Sequence, residues 1–186
     1  MCGRYYIEIS DEELQEVCDA LDKSREVFPS DMVPIMTNIG EYQSMKWGFT
    51  GFDGKLLINA RSETALTKPT FQDSMLKRRC VIPASGYYEW RRDGNKKIKH
   101  QIYIPGRPIY LAGCFRQEKD STHKRFVILT REAAGGLEKI HDRMPVIIPR
   151  CHIKNWLNGN PDVISEYFVS QNSDSLDLTF DDISGL

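Results

Sequence analysis

Short apolar runs separated by turn residues follow one another along most of the chain, and this pattern restricts the folds open to it. Between positions 44 and 130 the runs are SMKWGFTGF, LLINA, CVIP, SGYYEW, HQIYIP, RPIYLAGCF and RFVILT, each long enough for a strand. Asp53-Gly54 and Asp93-Gly94-Asn95 are strong hairpin signals between such runs. The regular strand and helix alternation of a parallel sheet is missing. The sequence therefore predicts an α+β fold with an antiparallel, β-rich core.

Helical patterns occur mainly outside these runs. Ser10 followed by Glu13 forms a capping box ahead of DEELQEVCDALD, whose apolar residues recur on one helical face. The polar stretch 62–79 is compatible with helix and is interrupted by Pro69. Further helical patterns occur in LEKI, HIKNWLNG and DVISEYF. These segments predict peripheral helices around the sheet.

Two other stretches predict irregular or outer structure. FPSDMVP, at 28–34, predicts a loop because two closely spaced prolines suit neither a helix nor a central strand. The acidic C-terminal stretch SQNSDSLDLTFDDISGL is expected to pack along the outside, and a short strand is expected from Tyr5 to Ile9. No internal repeat or long linker divides the chain, so we expect one domain over residues 1–186.

The charge balance and the cysteines exclude several classes of protein. The 25 basic and 26 acidic residues give a formal net charge of −1, which excludes a globally basic nucleic-acid binder and leaves local patches such as KRR and NKKIKH. No apolar run approaches the ~20 residues that span a bilayer, and MCGRYYIE lacks the character of a signal peptide. Five cysteines, an odd number in a chain without an export signal, argue against a disulfide framework, and the lack of a C-x-x-C motif argues against structural zinc. We expect a cytoplasmic monomer without metal, cofactor or membrane partner.

Four segments contain polar residues that a plain core does not require, namely MCGR, INARSE, IPASGYYEW and IHDRMP. In the first, Cys2 follows the initiator methionine. If Met1 stays, Cys2 is one more small, partly apolar residue near a chain end. If Met1 is removed, Cys2 carries a free α-amine and a thiol on adjacent carbons, a pair that no internal cysteine possesses.

Glu89 and His141 are candidate acid–base groups. Glu89 lies between two aromatic residues, where low dielectric suits a carboxyl group to proton transfer near neutrality. Strict strand alternation would instead put Glu89 on an outward polar face. His141 precedes an aspartate and an arginine, and histidine is the side chain best suited to proton transfer near neutral pH. A lone histidine is also commonly a hydrogen-bonded structural residue.

Asn59 and Arg61 share one face if INARSE is extended, so that an amide and a guanidinium point the same way. The alternative is a strand edge with ordinary backbone hydrogen bonds. Together the four segments supply a nucleophile, a carboxylate, a histidine, an amide and several arginines. This is the inventory of a site for an anionic, electrophilic substrate.

MCGR, NARSET (59–64), RRCVIPASGYYEW (78–90) and HDRMPVII (141–148), in this order, resemble the SOS-response-associated peptidase (SRAP) family. The resemblance covers nearly the whole chain and implies a single SRAP-type domain that senses abasic sites in single-stranded DNA. It implies that Met1 is excised and that the amine and thiol of Cys2 capture the aldehyde of an abasic deoxyribose as a thiazolidine crosslink. Lyase activity, self-removal of Met1 and association with the nucleoid belong to the same interpretation.

The resemblance also implies roles for individual residues. Asn59 positions Cys2, Glu89 acts as acid and base on the amine and imine, and His141 assists opening of the sugar ring. The implied DNA contacts are Arg4, Arg61, Arg143, Thr130, Trp47, Phe52 and Pro29. The loop around Pro29 departs from the family pattern, and the aromatic residue that separates bases stays open among Trp47, Phe49 and Phe52.

Two other functions fit the same residues. In a cysteine hydrolase, Cys2 would attack a peptide or amide bond with His141 as base and Asn59 in an oxyanion role. In a non-enzymatic single-strand-binding module, aromatic side chains would stack on bases. Catalytic peptide cleavage would favour the first. Equal binding of intact and abasic strands, with no stable adduct, would favour the second.

Overall fold

The structure of the chain is a computed structural model, which describes residues 2–8, 14, 24–119, 121–160 and 177–184. The helix predicted over 11–22 lies outside the described residues except for Leu14, and the helix predicted in DVISEYF lies wholly outside them. Within the described residues, no helix is both long and apolar enough to cross a membrane.

One antiparallel sheet carries the N-terminal strand. Its members are β1 (Tyr5–Ile7), β2 (Arg25–Val27), β9 (Gly86–Asp93), β10 (Lys96–Tyr103) and β14 (Thr179–Asp182), in the spatial order β14-β10-β9-β1-β2. Because β1 lies between β2 and β9, the residues just ahead of Tyr5 are held beside β9.

A second sheet forms a closed ring of strands. Its members are β3 (Met32–Asn38), β4 (Glu41–Trp47), β7 (Asn59–Arg61), β8 (Arg79–Ala84), β11 (Ile109–Gln117), β12 (Lys124–Glu132) and β13 (Arg143–Pro145). The order is β11-β8-β3-β4-β12-β13, and a further pairing of β11 with β12 closes the ring. β5 (Phe49–Thr50) and β6 (Leu56–Leu57) form a separate hairpin around Asp53-Gly54, as predicted.

The prediction of an α+β fold with an antiparallel core and peripheral helices is confirmed. The described α-helices are Ser62–Ala65, Gln72–Lys77 and Ile153–Asn158, with short 3-10 helices at Leu137–Lys139 and Arg150–His152. Two short parallel pairings, of β12 with β4 and with β7, depart from the antiparallel pattern. The β12–β7 pairing sets Asn59 beside Ile128 and thereby fixes the position of the Asn59 backbone.

Two predictions about irregular segments need correction. The loop predicted over 28–34 ends early, because β3 begins at Met32 and includes Pro34 opposite Ser44. A proline fits there because β3 pairs with β8 only at Met36, so its other edge has no ladder hydrogen bond to lose near Pro34. The C-terminal stretch does more than pack outside, since β14 extends the first sheet by pairing with β10.

The core consists of two clusters of buried apolar side chains. The larger cluster contains Cys2, Tyr5, Trp47, Tyr87 and Phe126 among its members. Tyr5 and Phe126 lie against the Trp47 ring at centroid distances of 5.3 and 6.2 Å. The start of the chain is therefore anchored in the core, in contrast to the frayed ends of most domains.

Candidate active site

Cys2 is fully buried at the start of the described chain. The side-chain amide of Asn59, on β7, donates a hydrogen bond from Nδ2 to the Cys2 carbonyl oxygen over 3.0 Å. Cys2 Sγ lies 4.0 Å from the carbonyl oxygen of Arg4. Asn59 Oδ1 is buried and has no hydrogen-bond partner among the described residues, so this amide holds Cys2 with one end and leaves an acceptor at the other.

The Cys2 thiol is held in its neutral form. Burial, and secondly the negative charge of Glu89, raise the pKa of this thiol from its ordinary value of 9.0 to about 12. The contribution of Glu89 means that the carboxylate and the thiol are electrostatically coupled. A thiolate is therefore disfavoured at Cys2 in the chain that retains Met1.

Glu89 and His141 line the same cleft, whose volume is about 520 Å³. Glu89, on β9, is only 5% exposed, so its carboxyl group faces the interior rather than the outward polar face that strict alternation allowed. Ile140 and Trp90 contribute apolar surface to the cleft. The geometry agrees with the prediction of a carboxylate in a low-dielectric setting.

His141 has a ring nitrogen with two contacts that favour opposite protonation states. The backbone N–H of Arg143 donates to Nδ1 over 3.0 Å, which requires a lone pair on that nitrogen. Asp142 Oδ1 lies 2.6 Å from the same Nδ1, which favours a proton there. The ring is partly exposed and lines the cleft.

Arg4 lies between two aromatic rings. Its guanidinium carbon is 4.3 Å from the Phe28 ring centroid and 5.0 Å from that of Trp90, which are cation–π distances. Nη1 also lies 3.2 Å from Glu26 Oε2. Arg4 is thus a preorganised cation two residues from Cys2.

Arg143 is engaged within the protein. Nη1 and Nη2 lie 2.7 and 2.9 Å from the two carboxylate oxygens of Glu63, and Nη2 also donates to the Thr130 carbonyl oxygen over 2.7 Å. This guanidinium lowers the pKa of the Glu63 carboxyl group below its ordinary value. Thr130 is fully buried, and its Oγ1 has no hydrogen-bond partner in the described part of the chain. Arg61, next to Thr130 across the β7–β12 pair, is exposed.

The three remaining residues predicted to contact DNA have very different surroundings. Trp47 is 0% exposed, and its Nε1 donates to the Ile58 carbonyl oxygen over 3.0 Å, so the ring packs the core and cannot stack on a base without unfolding. Phe49 is fully buried as well. Phe52 is 99% exposed at the tip of the β5–β6 hairpin, and Pro29 is half-buried in the turn beside Phe28.

Two aromatic residues and two acids at this site were not predicted from the sequence. Trp90 and Phe28 contact Arg4, and Glu26 and Glu63 hold the predicted arginines. Trp90 directly follows Glu89 and Phe28 directly precedes Pro29, so adjacency to a predicted site residue was a usable signal for both. Glu63 lies in the INARSE segment, two positions after the predicted Arg61, whereas Glu26 carries no comparable signal. Within the described part of the chain, no cluster of three His, Cys, Asp or Glu side chains suits a metal ion.

Comparisons with known proteins agree with the resemblance noted in the sequence. The family described as SOS response associated peptidase (SRAP) matches residues 1–184. The abasic site processing protein YoaM of Bacillus subtilis (strain 168) is 31% identical over 204 residues, covering 95% of this chain and 89% of YoaM. The abasic site processing protein YedK of Escherichia coli (strain K12) is 35% identical over 116 residues, covering 60% of this chain and 52% of YedK.

Solved structures share the fold. A crystal structure of a protein from Bordetella bronchiseptica has a TM-score of 0.80 at 20% identity, covering 98% of this chain and 99% of that one. A protein from Bacteroides thetaiotaomicron has a TM-score of 0.77 at 23% identity, covering 97% and 92%. With a family match over nearly its full length, the chain belongs to the SOS response associated peptidase (SRAP) family.

Proposed function

We propose that this protein binds abasic sites in single-stranded DNA and captures the ring-opened sugar aldehyde covalently through Cys2, after Met1 has been removed. The observation that carries the proposal is the hydrogen bond from the Asn59 amide to the Cys2 carbonyl oxygen. The N-terminal segment also runs along β9, where Tyr88 N–H donates to the Arg4 carbonyl oxygen beside Glu89, and the charge of Glu89 acts on the Cys2 thiol. Relatives matching most of the chain are named abasic site processing proteins, which supports abasic DNA as the substrate class.

The α-amine of Cys2 makes the first bond. An α-amine has a reference pKa of about 7.7 to 8.0, against about 10.4 for lysine, so much of it is uncharged and nucleophilic near neutral pH. Its nitrogen attacks the aldehyde carbon, and loss of one water gives an imine. The vacant acceptor Asn59 Oδ1 is suited to orient the amine through one of its N–H bonds.

The thiol then closes the ring. In the chain that retains Met1, burial raises the pKa of the Cys2 thiol to about 12. We expect the sulfur to attack as a thiol, which must release its proton. The S–C bond forms at the imine carbon, and the proton passes through Glu89 to the nitrogen, giving a thiazolidine. Both attacking atoms belong to one residue, so the second step is intramolecular and gains a large effective molarity.

The other site residues act on the sugar and on the strand. His141 shares the cleft with Glu89, which suits it to move a proton at the sugar ring oxygen as the ring opens. Arg4 and Arg61 are suited to bind the phosphates that flank the lesion. Arg143 is bound to Glu63 and to the Thr130 carbonyl oxygen, so it supports the protein backbone next to them. A lesion that lacks a base requires no reading of a base edge.

A cysteine hydrolase is the second candidate function, and the raised pKa of the Cys2 thiol argues against it. Nucleophilic cysteines in hydrolases have a lowered pKa and reactive thiolate, whereas burial raises the pKa of Cys2. Self-removal of Met1 would be a single intramolecular event, for which a slow thiol suffices. Lyase cleavage would proceed from the imine, so a variant without the thiol would reveal any such activity.

The test mixes the purified protein with a single-stranded oligonucleotide carrying one abasic site, followed by denaturing electrophoresis and intact mass spectrometry. We expect a denaturation-resistant species whose mass equals the Met1-free protein plus the DNA less one water. Retention of Met1 in the crosslinked protein would contradict the proposal.

Variants separate the two bonds. Cys2→Ser keeps the amine, so we expect an adduct only when borohydride reduces the imine, and none that survives without reductant. Cys151→Ser, at an exposed cysteine, is the matched control and should crosslink like the parent. An equally durable adduct from Cys2→Ser, or from protein acetylated at its terminal amine, would rule out ring formation.

A further inference from the structure

The cleft that contains Glu89 and His141 extends to a group of cations that the proposed chemistry does not use. One wall is the β9–β10 hairpin and the other is the segment 138–142. Arg92 and Lys97 line the first wall and Lys139 lines the second, and all three are exposed. Positive charge therefore faces the cleft from both sides.

The two hairpin cations stand directly opposite each other. Arg92 on β9 pairs in register with Lys97 on β10, which puts both side chains on one face of the hairpin. Like charges in directly opposed positions destabilise a strand pair. The turn residues Gly94 and Asn95 already favour the hairpin, so it does not need this charge pair in order to fold. An anion in the cleft would relieve the repulsion between the two side chains.

Nearby acids do not neutralise these cations. Among the described residues, Arg92, Lys97 and Lys139 have no ion-pair partner. The hairpin acid Asp93 lies 3.8 Å from Arg91 instead.

The acids of the opposite wall are engaged locally. Glu138 Oε2 accepts a hydrogen bond from the Gly136 N–H over 3.0 Å, and Asp142 contacts His141. Glu89 is buried at the inner end of the cleft and is coupled to Cys2. The three exposed cations are thus left for an external partner.

We propose that Arg92, Lys97 and Lys139 form a phosphodiester subsite that holds the DNA strand on one side of the lesion. The inference rests on the proposed function, because it takes the strand that enters the Glu89 and His141 cleft as the occupant. A strand is favoured over a single free anion because the cations lie on two separate walls, and a chain of phosphates spans them. Phosphate contacts position the strand without selecting its sequence.

The dependence of DNA affinity on salt concentration reports how many phosphate contacts these three cations make. The ligand is a fluorescent single strand with a tetrahydrofuran abasic analogue, which has no aldehyde and so reports binding without crosslinking. In the variant Arg92→Gln/Lys97→Gln/Lys139→Gln, we expect the slope of log affinity against log salt concentration to become shallower by about 2, since each single-strand phosphate contact contributes roughly 0.7. The matched control Lys46→Gln/Lys68→Gln/Lys154→Gln removes the same charge outside the cleft and should keep the parent slope.

Truncated strands identify the occupied side and separate a strand from a free anion. Removing nucleotides on one side of the lesion should weaken binding to the parent and leave binding to the cleft variant unchanged, and inorganic phosphate at the same ionic strength should not substitute for them. An unchanged salt slope in the cleft variant, or equal truncation losses in both proteins, would overturn the subsite. Failure of the parent to crosslink a natural abasic strand would instead overturn the proposed function, because the binding arms do not depend on that reaction.

Discussion

Asn59 donates a hydrogen bond from its side-chain amide to the carbonyl oxygen of Cys2 over 3.0 Å, although 57 positions separate the two residues. The parallel pairing of β7 with β12 fixes the Asn59 backbone, and the core fixes Cys2. The bond therefore joins Cys2 to the ring of strands.

Replacing Asn59 should slow crosslinking more than it weakens DNA binding. Asn59→Ala removes both the donor to the Cys2 carbonyl and the vacant acceptor, so the amine loses its orientation. Small misplacements of reacting groups cost up to about 100-fold in rate, and we expect a loss of at least about 10-fold. Single-turnover crosslinking at saturating DNA measures the rate, with the exposed Asn38→Ala as control. A normal rate in Asn59→Ala would remove this residue from the mechanism.

Glu63 should stabilise the protein only above acidic pH. Arg143 lowers the pKa of Glu63 below its ordinary value of 4.5, so the folded state binds fewer protons and the gain is present above that value and lost as pH falls through the folded pKa. The Glu63 side chain is 46% exposed, so we expect Glu63→Gln to cost no more than about 1 kcal/mol at neutral pH. Urea unfolding from neutral to acidic pH should find parent and variant converging at the acidic end, and a constant difference would contradict this.

Alkaline pH should destabilise the fold through its buried thiols and phenols. Burial raises the pKa of Cys2 from 9.0 to about 12, and raises the pKa values of Tyr5 and Cys80 as well. The folded chain keeps protons that the unfolded chain releases, so stability is full below the unfolded pKa and falls as pH rises past it. Thermal unfolding from pH 8 upward should follow this loss, and Cys2→Ala should reduce its steepness.

Trp47 and Phe52 should separate stability from DNA affinity. Trp47→Ala empties a fully buried site and should cost about 3–5 kcal/mol of unfolding free energy. Phe52→Ala changes a side chain that is 99% exposed, so stability should stay within about 0.5 kcal/mol while affinity for abasic single strands falls. Urea unfolding and binding to the tetrahydrofuran strand test both. Unchanged affinity in Phe52→Ala would exclude the hairpin tip from the DNA path.

Local sequence pattern predicted where strands and turns occur better than it predicted which segments contact each other. Apolar runs and turn dipeptides indicated most strands, because those signals depend on neighbouring residues. The strand through Pro34 was not predicted, because two nearby prolines argue against a strand. A proline excludes a strand only where its position needs a backbone N–H for the ladder, and near Pro34 the edge of β3 that faces β8 is unpaired. The ring closure by β11 and β12 depends on contacts between distant segments, which one sequence does not contain.

The same contrast holds for the site, where local motifs predicted residues but not the contacts between distant ones. The motifs predicted Cys2, Asn59, Glu89 and His141 as site residues, and the structure joins Asn59 to Cys2 and puts Glu89 with His141 in one cleft. An aromatic residue in a strand can face either side, so Trp47 was assigned to DNA although it lies in the core. The Glu63 and Arg143 pair spans 80 positions and has no local signal.

The burial of Cys2 has a consequence for anyone who produces this protein. A purification tag fused ahead of residue 2 would turn its amine into an amide, and the extra polypeptide would begin from a residue that is fully buried. By the proposed mechanism such a fusion folds and is still inert, so handles belong at the opposite terminus, beyond the outer edge strand β14.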